Sequence, residues 1–144
     1  MKIYIDQISD MGLELSETCE PSSLDLNKPD IRLTEPINIS AQISKGPDFI
    51  SVKLAIEISM RLNCSRCLEE FTVPKSLETK LNLLIENRDA IDLTDNLREE
   101  IMLNYPLKPL CRPECRGLCP VCGRNLNKGE CSCKPKPREP FSSR

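Results

Sequence analysis

The stretch VKLAIEISMRLNCSRC (52–67) decides how this chain folds. Val52, Leu54, Ile56, Ile58, Met60 and Leu62 alternate with Lys53, Ala55, Glu57, Ser59, Arg61 and Asn63, the period-2 pattern of a long strand with one buried face. The strand runs straight into a Cys-x-x-Cys pair, Cys64 and Cys67. Beyond it, Phe71 and Val73, then Leu77, Thr79, Leu81, Leu83 and Ile85, describe a returning strand, broken or bulged near Pro74. The first cysteine pair therefore sits at the tip of an antiparallel hairpin.

Upstream, Ile37, Ile39, Ala41 and Ile43 alternate with polar residues and end at the turn Lys45-Gly46-Pro47-Asp48, which predicts a further strand. MKIYI at the N-terminus reads as a short strand with Ile3 and Ile5 on one face, GLEL (12–15) as another, and SETCEPSSLDLNKPD (16–30) as turn-rich and irregular. Downstream, Asp92 or Thr94 caps a helix whose apolar stripe is Leu93, Leu97 and Ile101 with Met102 and Leu103, and Tyr105-Pro106 ends it. The expected fold class is α+β: an antiparallel sheet with a long hairpin, one packed helix and a C-terminal cysteine-rich zinc-knuckle appendage. The expected divisions are a sheet-plus-helix body over 1–110, a zinc-binding segment over 111–133 packed on the hairpin tip, and a flexible Pro-rich tail over 134–144.

Eight of the nine cysteines form four close pairs, Cys64/Cys67, Cys111/Cys115, Cys119/Cys122 and Cys131/Cys133, and the chain has no histidine. That is the arithmetic of two all-thiolate metal sites, and zinc suits an all-cysteine tetrahedral set. Cys119-Pro120-Val121-Cys122-Gly123 is a zinc-knuckle sequence, with the glycine supplying the backbone conformation that follows the second ligand. Four pairs make two tetrads in three ways. Joining Cys64/Cys67 with Cys111/Cys115, and Cys119/Cys122 with Cys131/Cys133, is preferred because the other two ways make both sites long-range. Cys19 is left as a bystander thiol. Cys115-x3-Cys119-x2-Cys122 matches an iron–sulfur spacing of radical enzymes but lacks room for their scaffold, and Leu68 stands where a rubredoxin-like knuckle has glycine. No histidine activates a catalytic thiol, and closed tetrads keep no open position for water, so an enzyme is not expected.

Charge divides the chain. Residues 1–107 carry 11 Lys/Arg against 19 Asp/Glu, whereas residues 108–144 carry 9 against 3. The cations at the cysteine-rich end either offset the formal −2 of each four-thiolate zinc site or form an RNA-facing surface. Aromatics are only 3% of the chain, so base stacking is a minor resource and nucleic-acid contact would be electrostatic. No secretory signal and no long apolar run is visible, so a cytoplasmic location is expected with neither a membrane nor a small-molecule substrate as partner, and in that reducing compartment nine cysteines point to metal before disulfides.

CSRCLEEF (64–71), LREEIMLNYPLKPLC (97–111) and RGLCPVCGRNLNKGECSC (116–133), in that order, resemble the YceD family of bacterial and plastid proteins. The resemblance covers roughly residues 36–133. The family is named for a role in accumulation of large-subunit ribosomal RNA, and its gene often lies beside that of a small zinc-ribbon ribosomal protein. The resemblance implies an accessory factor in ribosome biogenesis, not a known catalyst; the cofactor expected from the cysteine spacing is zinc, in two sites of four cysteines. Its motif positions here are Cys64, Arg66, Cys67, Phe71, Cys111, Cys115, Gly117, Cys119, Pro120, Cys122, Gly123, Asn125, Leu126, Cys131 and Cys133. The expected partner is ribosomal RNA or a pre-ribosomal particle, met by Arg66, Arg112, Arg116, Arg124 and Lys128. The alternative is a chaperone for a basic ribosomal protein, with zinc purely structural. Members commonly continue beyond the Pro-aromatic step, here Pro140-Phe141, whereas this sequence stops at Arg144.

Overall fold

In the computed structural model, which describes residues 1–26, 31–85 and 89–134, the alternating stretch is a single strand. It spans Phe49–Asn63, and each even-numbered residue from Ile50 to Leu62 is buried. A side chain leaves a pleated backbone on opposite faces in turn, so this one-in-two pattern commits one whole face to the interior. The strands preceding it in the chain are β1 (Lys2–Tyr4), β2 (Leu13–Cys19), β3 (Ile31–Leu33) and β4 (Ile37–Lys45); the long strand is β5. β6 (Glu70–Leu84), β7 (Ala90–Asp92) and the helix α1 (Thr94–Leu103) follow.

Register is set by matching apolar positions. β4 lies antiparallel to β5 with Ile39 opposite Ile56, Ala41 opposite Leu54 and Ile43 opposite Val52. A slip of one residue would turn all of these to solvent. The connecting turn closes with the Gly46 N–H donating to the Phe49 carbonyl at 2.7 Å. β2 pairs with β4, Leu13 opposite Ile43 through Cys19 opposite Ile37, and β3 pairs with the far end of β5, Leu33 opposite Met60. β2 is thus longer than the GLEL expectation: Ser16–Cys19, expected to be irregular, is strand. Cross-strand side-chain bonds explain how so polar a segment pairs, since Thr18 donates to Asn38 Oδ1 at 3.1 Å and Gln42 to Glu14 Oε1 at 3.0 Å.

β6 pairs with β5, and the short connection between them allows only the antiparallel direction. The break expected near Pro74 does not occur. Residues 71, 73, 75, 77, 79, 81 and 83 all fall on the more buried side, in one phase across the proline. Proline lacks an N–H, but β6 pairs with no described strand other than β5, and an edge strand tolerates a missing donor.

β1 and β7 form a separate two-stranded sheet, Lys2 opposite Asp92 and Tyr4 opposite Ala90. Sequence periodicity gave no sign of β7. Only Ile3 of the N-terminal pair is in the strand; Ile5 begins a 3-10 turn over Ile5–Gln7. The pairing fixes the helix start, because the Leu93 N–H donates to the Met1 carbonyl at 2.9 Å and Asp92 Oδ1 accepts from the Thr94 N–H at 3.0 Å. The N-cap is Leu93, without a side-chain cap bond, a correction to the expected Asp92 or Thr94; Asp92 precedes the cap and its carboxylate accepts from the first helical N–H. Leu93, Leu97 and Ile101 are buried, Met102 is half-buried, and Leu103 is 74% exposed, a correction to the expected stripe. Two residues beyond Ile101 are about 200° further around a helix, which is its opposite side. The helix end is held by Lys75 Nζ donating to the Asn104 carbonyl at 2.8 Å, and Tyr105 Oη donates to the Leu26 carbonyl at 2.7 Å.

The chain divides into two compact units, Met1–Leu62 with Thr72–Leu107, and Asn63–Phe71 with Lys108–Arg144. The hairpin tip thus groups with the cysteine-rich end. The expected flexible tail lies outside the described residues beyond Lys134. Among the described residues no helix is long and apolar enough to cross a membrane.

The first unit's interior is aliphatic, so truncation there is costly. Ile56→Ala should lower the unfolding free energy by about 2–5 kcal/mol and Leu103→Ala by under about 0.5 kcal/mol, measured by urea denaturation followed by circular dichroism.

Candidate metal centres

Two Cys-x-x-Cys turns of the second unit have the same local form. In one, the Gly123 N–H donates to the Cys119 carbonyl at 2.9 Å with Gly123 at φ 72°. In the other, the Leu68 N–H donates to the Cys64 carbonyl at 2.9 Å with Leu68 at φ 59°. A left-handed residue after the second cysteine brings both sulfurs to one side of the turn. Leucine does this at a cost of roughly 1–2 kcal/mol that glycine avoids. The missing glycine at 68 therefore changes the energy of the knuckle and not its shape.

The chain then brings the remaining thiols in. The sulfurs of Cys64, Cys67, Cys111 and Cys115 lie within 4.8 Å of one another, and so do those of Cys119, Cys122, Cys131 and Cys133. These are the two groupings preferred from the sequence. Cys64 Sγ is 3.8 Å from Cys115 Sγ, and Cys67 Sγ is 3.7 Å from Cys111 Sγ. A disulfide is about 2.05 Å long, so these are not S–S bridges. With zinc–sulfur bonds of about 2.3 Å, the edge of a regular sulfur tetrahedron is about 3.8 Å, so the donor set fits a thiolate-binding ion of that size. All nine cysteines are free thiols, and Cys19, half-buried at the end of β2, belongs to neither group.

The first group is the more enclosed. Cys64, Cys67 and Cys115 are buried, with Phe71, Leu110, Cys111 and Leu118 packed around them. In the second group Cys119 is buried, Cys131 and Cys133 are half-buried and Cys122 is exposed. Each group can hold a metal ion.

Electrostatics divides each group internally. Burial acts to raise the Cys64 thiol, but backbone hydrogen bonds from Cys111, Cys67 and Arg66 outweigh it and bring it down to about 6. Backbone hydrogen bonds from Cys122 and Val121 likewise bring Cys119 to about 6. Burial and the neighbouring thiols Cys115, Cys67 and Cys64 push Cys111 up to about 12. Cys122, then burial, push Cys133 up to about 12. Like charges this close cannot all form unaided, so one thiol ionises at its neighbour's expense.

Backbone hydrogen bonds shape the turns over residues 117–126. Leu118 and Asn125 form an antiparallel bridge, the Cys119 N–H donates to the Arg124 carbonyl at 2.8 Å, and the Leu126 N–H donates to the Gly117 carbonyl at 2.9 Å. Gly117 has φ 73°, and a Cβ there would meet the Arg66 carbonyl oxygen at 3.1 Å, so this close approach needs glycine. Asn127 was not singled out from the sequence. Its Nδ2 donates to Cys115 Sγ at 3.2 Å and its Oδ1 accepts from the Arg116 N–H at 2.8 Å. The Asn-Leu-Asn-Lys-Gly run signals a turn, but nothing in it points to a thiol.

The five cations expected to meet RNA are placed unequally. Arg66 donates to the Cys115 carbonyl at 2.9 Å, Arg116 pairs with Glu130 at 3.7 Å, and Arg124 donates to the Glu130 carbonyl at 3.1 Å. Lys128 pairs with Glu69, whose carboxyl it holds below the usual range. All five residues are exposed, and Arg112 lies on the loop that leads from Cys111 to Cys115.

Residues 74–143 match the family model described as "Large ribosomal RNA subunit accumulation protein YceD". A Zea mays protein named "Large ribosomal RNA subunit accumulation protein YCED homolog 1, chloroplastic" is 45% identical over 47 residues, 32% of this chain and 16% of that protein. Its Arabidopsis thaliana namesake is 36% identical over 56 residues, 39% of this chain and 17% of the relative. The Bacillus subtilis (strain 168) protein "Uncharacterized protein YlbN" is 26% identical over 123 residues, 76% of this chain and 72% of its own length. The match to the plastid relatives thus spans under a fifth of their length. No solved structure matches the chain significantly.

A metal ion held by all four sulfurs must expel the protons that Cys111 and Cys133 keep at neutral pH, so affinity rises with pH and falls on acidification. Zinc added to metal-free protein in weak buffer at pH 7 should release at least about one proton per ion bound, read with an indicator dye. Uptake without proton release would contradict this.

Proposed function

We propose, from the match of residues 74–143 to the YceD family model, that this chain is a YceD-family protein acting as a non-enzymatic, zinc-stabilised accessory factor in ribosome biogenesis. It supports accumulation or processing of large-subunit ribosomal RNA by binding pre-ribosomal RNA. One observation carries the reading. Among the described residues of the second unit every buried side chain is a cysteine. A surface bearing Arg112, Arg116 and Arg124 is therefore organised around thiols, with only the half-buried Phe71, Leu110 and Leu118 packed against them.

Zinc is the ion this donor set favours, because eight soft sulfurs and no carboxylate or imidazole suit a tetrahedral, redox-inert cation. Bound there it would supply structure only, since four protein ligands complete its coordination. Hydrolytic chemistry needs an open metal position or a base near a nucleophile, and the chain contains no histidine. Nine free thiols belong in a reducing compartment, which for a bacterial protein is the cytoplasm.

Contact with phosphates makes binding salt-dependent. Affinity for a large-subunit ribosomal RNA fragment, measured by filter binding from 50 to 200 mM salt, should fall, with a log–log slope of roughly −0.7 to −0.9 per phosphate contacted. Arg112→Ala should reduce that slope by about one. Salt-independent affinity would contradict the RNA reading.

A second reading has its own support. Arg66, Arg116, Arg124 and Lys128 are engaged by acceptors within the second unit, while residues 1–107 carry a net acidic excess. A basic ribosomal protein would complement that acidity. Pull-down after nuclease treatment separates the two: loss of ribosomal partners supports RNA, and retention supports the protein.

A further inference from the structure

Asn127 stands in the loop between Cys122 and Cys131, inside the second thiol group, yet its side chain reaches the first. Nδ2 donates to Cys115 Sγ at 3.2 Å and to Asn125 Oδ1 at 2.9 Å, and Oδ1 accepts from the Arg116 N–H at 2.8 Å. A backbone N–H needs an acceptor, so Arg116 fixes which end of the amide is oxygen and thereby aims the NH2 at the sulfur. The Asn127 N–H also donates to Asn125 Oδ1 at 2.9 Å, which holds the residue in its turn. All three polar atoms of the residue's backbone donor and side-chain amide are thus committed to one geometry.

We infer that Asn127 is a positioning residue that couples the two metal centres, so that filling the Cys119/Cys122/Cys131/Cys133 centre strengthens ion retention in the Cys64/Cys67/Cys111/Cys115 centre. The inference rests on the reading that both groups hold metal. The physical path is short. Closing the second centre ties Cys131 and Cys133 to the Cys119–Cys122 knuckle and so closes the loop that carries residues 124–130. That loop presents an N–H to a sulfur of the first centre, and such a bond stabilises the thiolate over the thiol. Lys128, on the same loop, pairs with Glu69, two residues after Cys67. Emptying the second centre frees the loop and withdraws both contacts. The asymmetry of exposure sets the direction, since Cys122 is exposed whereas Cys64, Cys67 and Cys115 are buried. The second centre is the one that exchanges with the surroundings, and the first responds.

The test uses full-length zinc-loaded protein and a colorimetric chelator that reports release. Cys131→Ser with Cys133→Ser disables the second centre, and the single zinc that remains should leave about 10- to 100-fold faster than the slow phase of wild type. Asn127→Ala should keep two zinc ions and accelerate the slow phase by a similar factor, and Asn127→Asp, with no donor at that position, should do the same. Adding Asn127→Ala to the double serine variant should change little further, because the contact is already lost. Unchanged slow release in the two-zinc Asn127→Ala protein overturns the coupling. So does an undiminished effect of Asn127→Ala in the serine background, which would mean that Asn127 acts whether or not the second centre is filled. A wild-type protein that binds fewer than two zinc ions removes the underlying reading instead, and is recognised by metal content before any variant is made.

Discussion

Four sulfurs gathered within 4.8 Å are an arrangement that a chain of thiols does not hold for its own sake. As thiols they make weak hydrogen bonds, and as thiolates they repel. The lowered values at Cys64 and Cys119 and the raised values at Cys111 and Cys133 express that conflict. A divalent cation resolves it by letting every member ionise. Segments 63–71 and 108–134 share no fully buried aliphatic side chain among the described residues, and Phe71, Leu110 and Leu118 are only half-buried around the first thiol group, so the sulfurs are the most enclosed part of the second unit. Small domains that cannot bury enough apolar surface are commonly closed by metals in this way.

The first unit is of the opposite kind. Its interior is Ile, Leu, Val and Met, and its register is dictated by which of these residues face one another across β4 and β5. The two thiol groups are built differently as well. The first draws on distant stretches of sequence and is enclosed by Phe71, Leu110 and Leu118, whereas the second closes within residues 119–133 and leaves Cys122 at the surface. Enclosure slows exchange and exposure permits it. The basic residues around these groups are largely occupied in holding the unit's own loops, which explains why positive charge at this end of the chain is not by itself a measure of a nucleic-acid surface.

How much of this the sequence discloses depends on the range of the interaction. The alternation from Val52 to Leu62 is local and strong, and β5 follows it residue for residue. The pairing of the eight cysteines is legible for a similar reason, since proximity in sequence leaves few ways to close two tetrads. Pro74 misleads because a proline breaks a ladder only where its N–H is needed, and whether a strand is an edge is a property of the sheet. Ser16–Cys19 is strand because β4 offers it a partner, and β7 exists because β1 does. Leu103 looks like a core residue in composition and lies on the wrong side of the helix in geometry. Asn127 is invisible for a further reason: an amide that orients a sulfur from another part of the chain has no sequence spacing to betray it.

The central claim is that bound metal, two ions per chain, holds the second unit together. It is tested most directly by weighing the native protein by mass spectrometry and then stripping it with a strong chelator while amide signals are followed by NMR. The account predicts a mass excess of two zinc ions, and on stripping a collapse of chemical-shift dispersion for residues 63–71 and 108–134 with the amides of β4 and β5 up to Leu62 still protected. A metal-free protein whose signals from those same cysteine-bearing segments stay dispersed would contradict it.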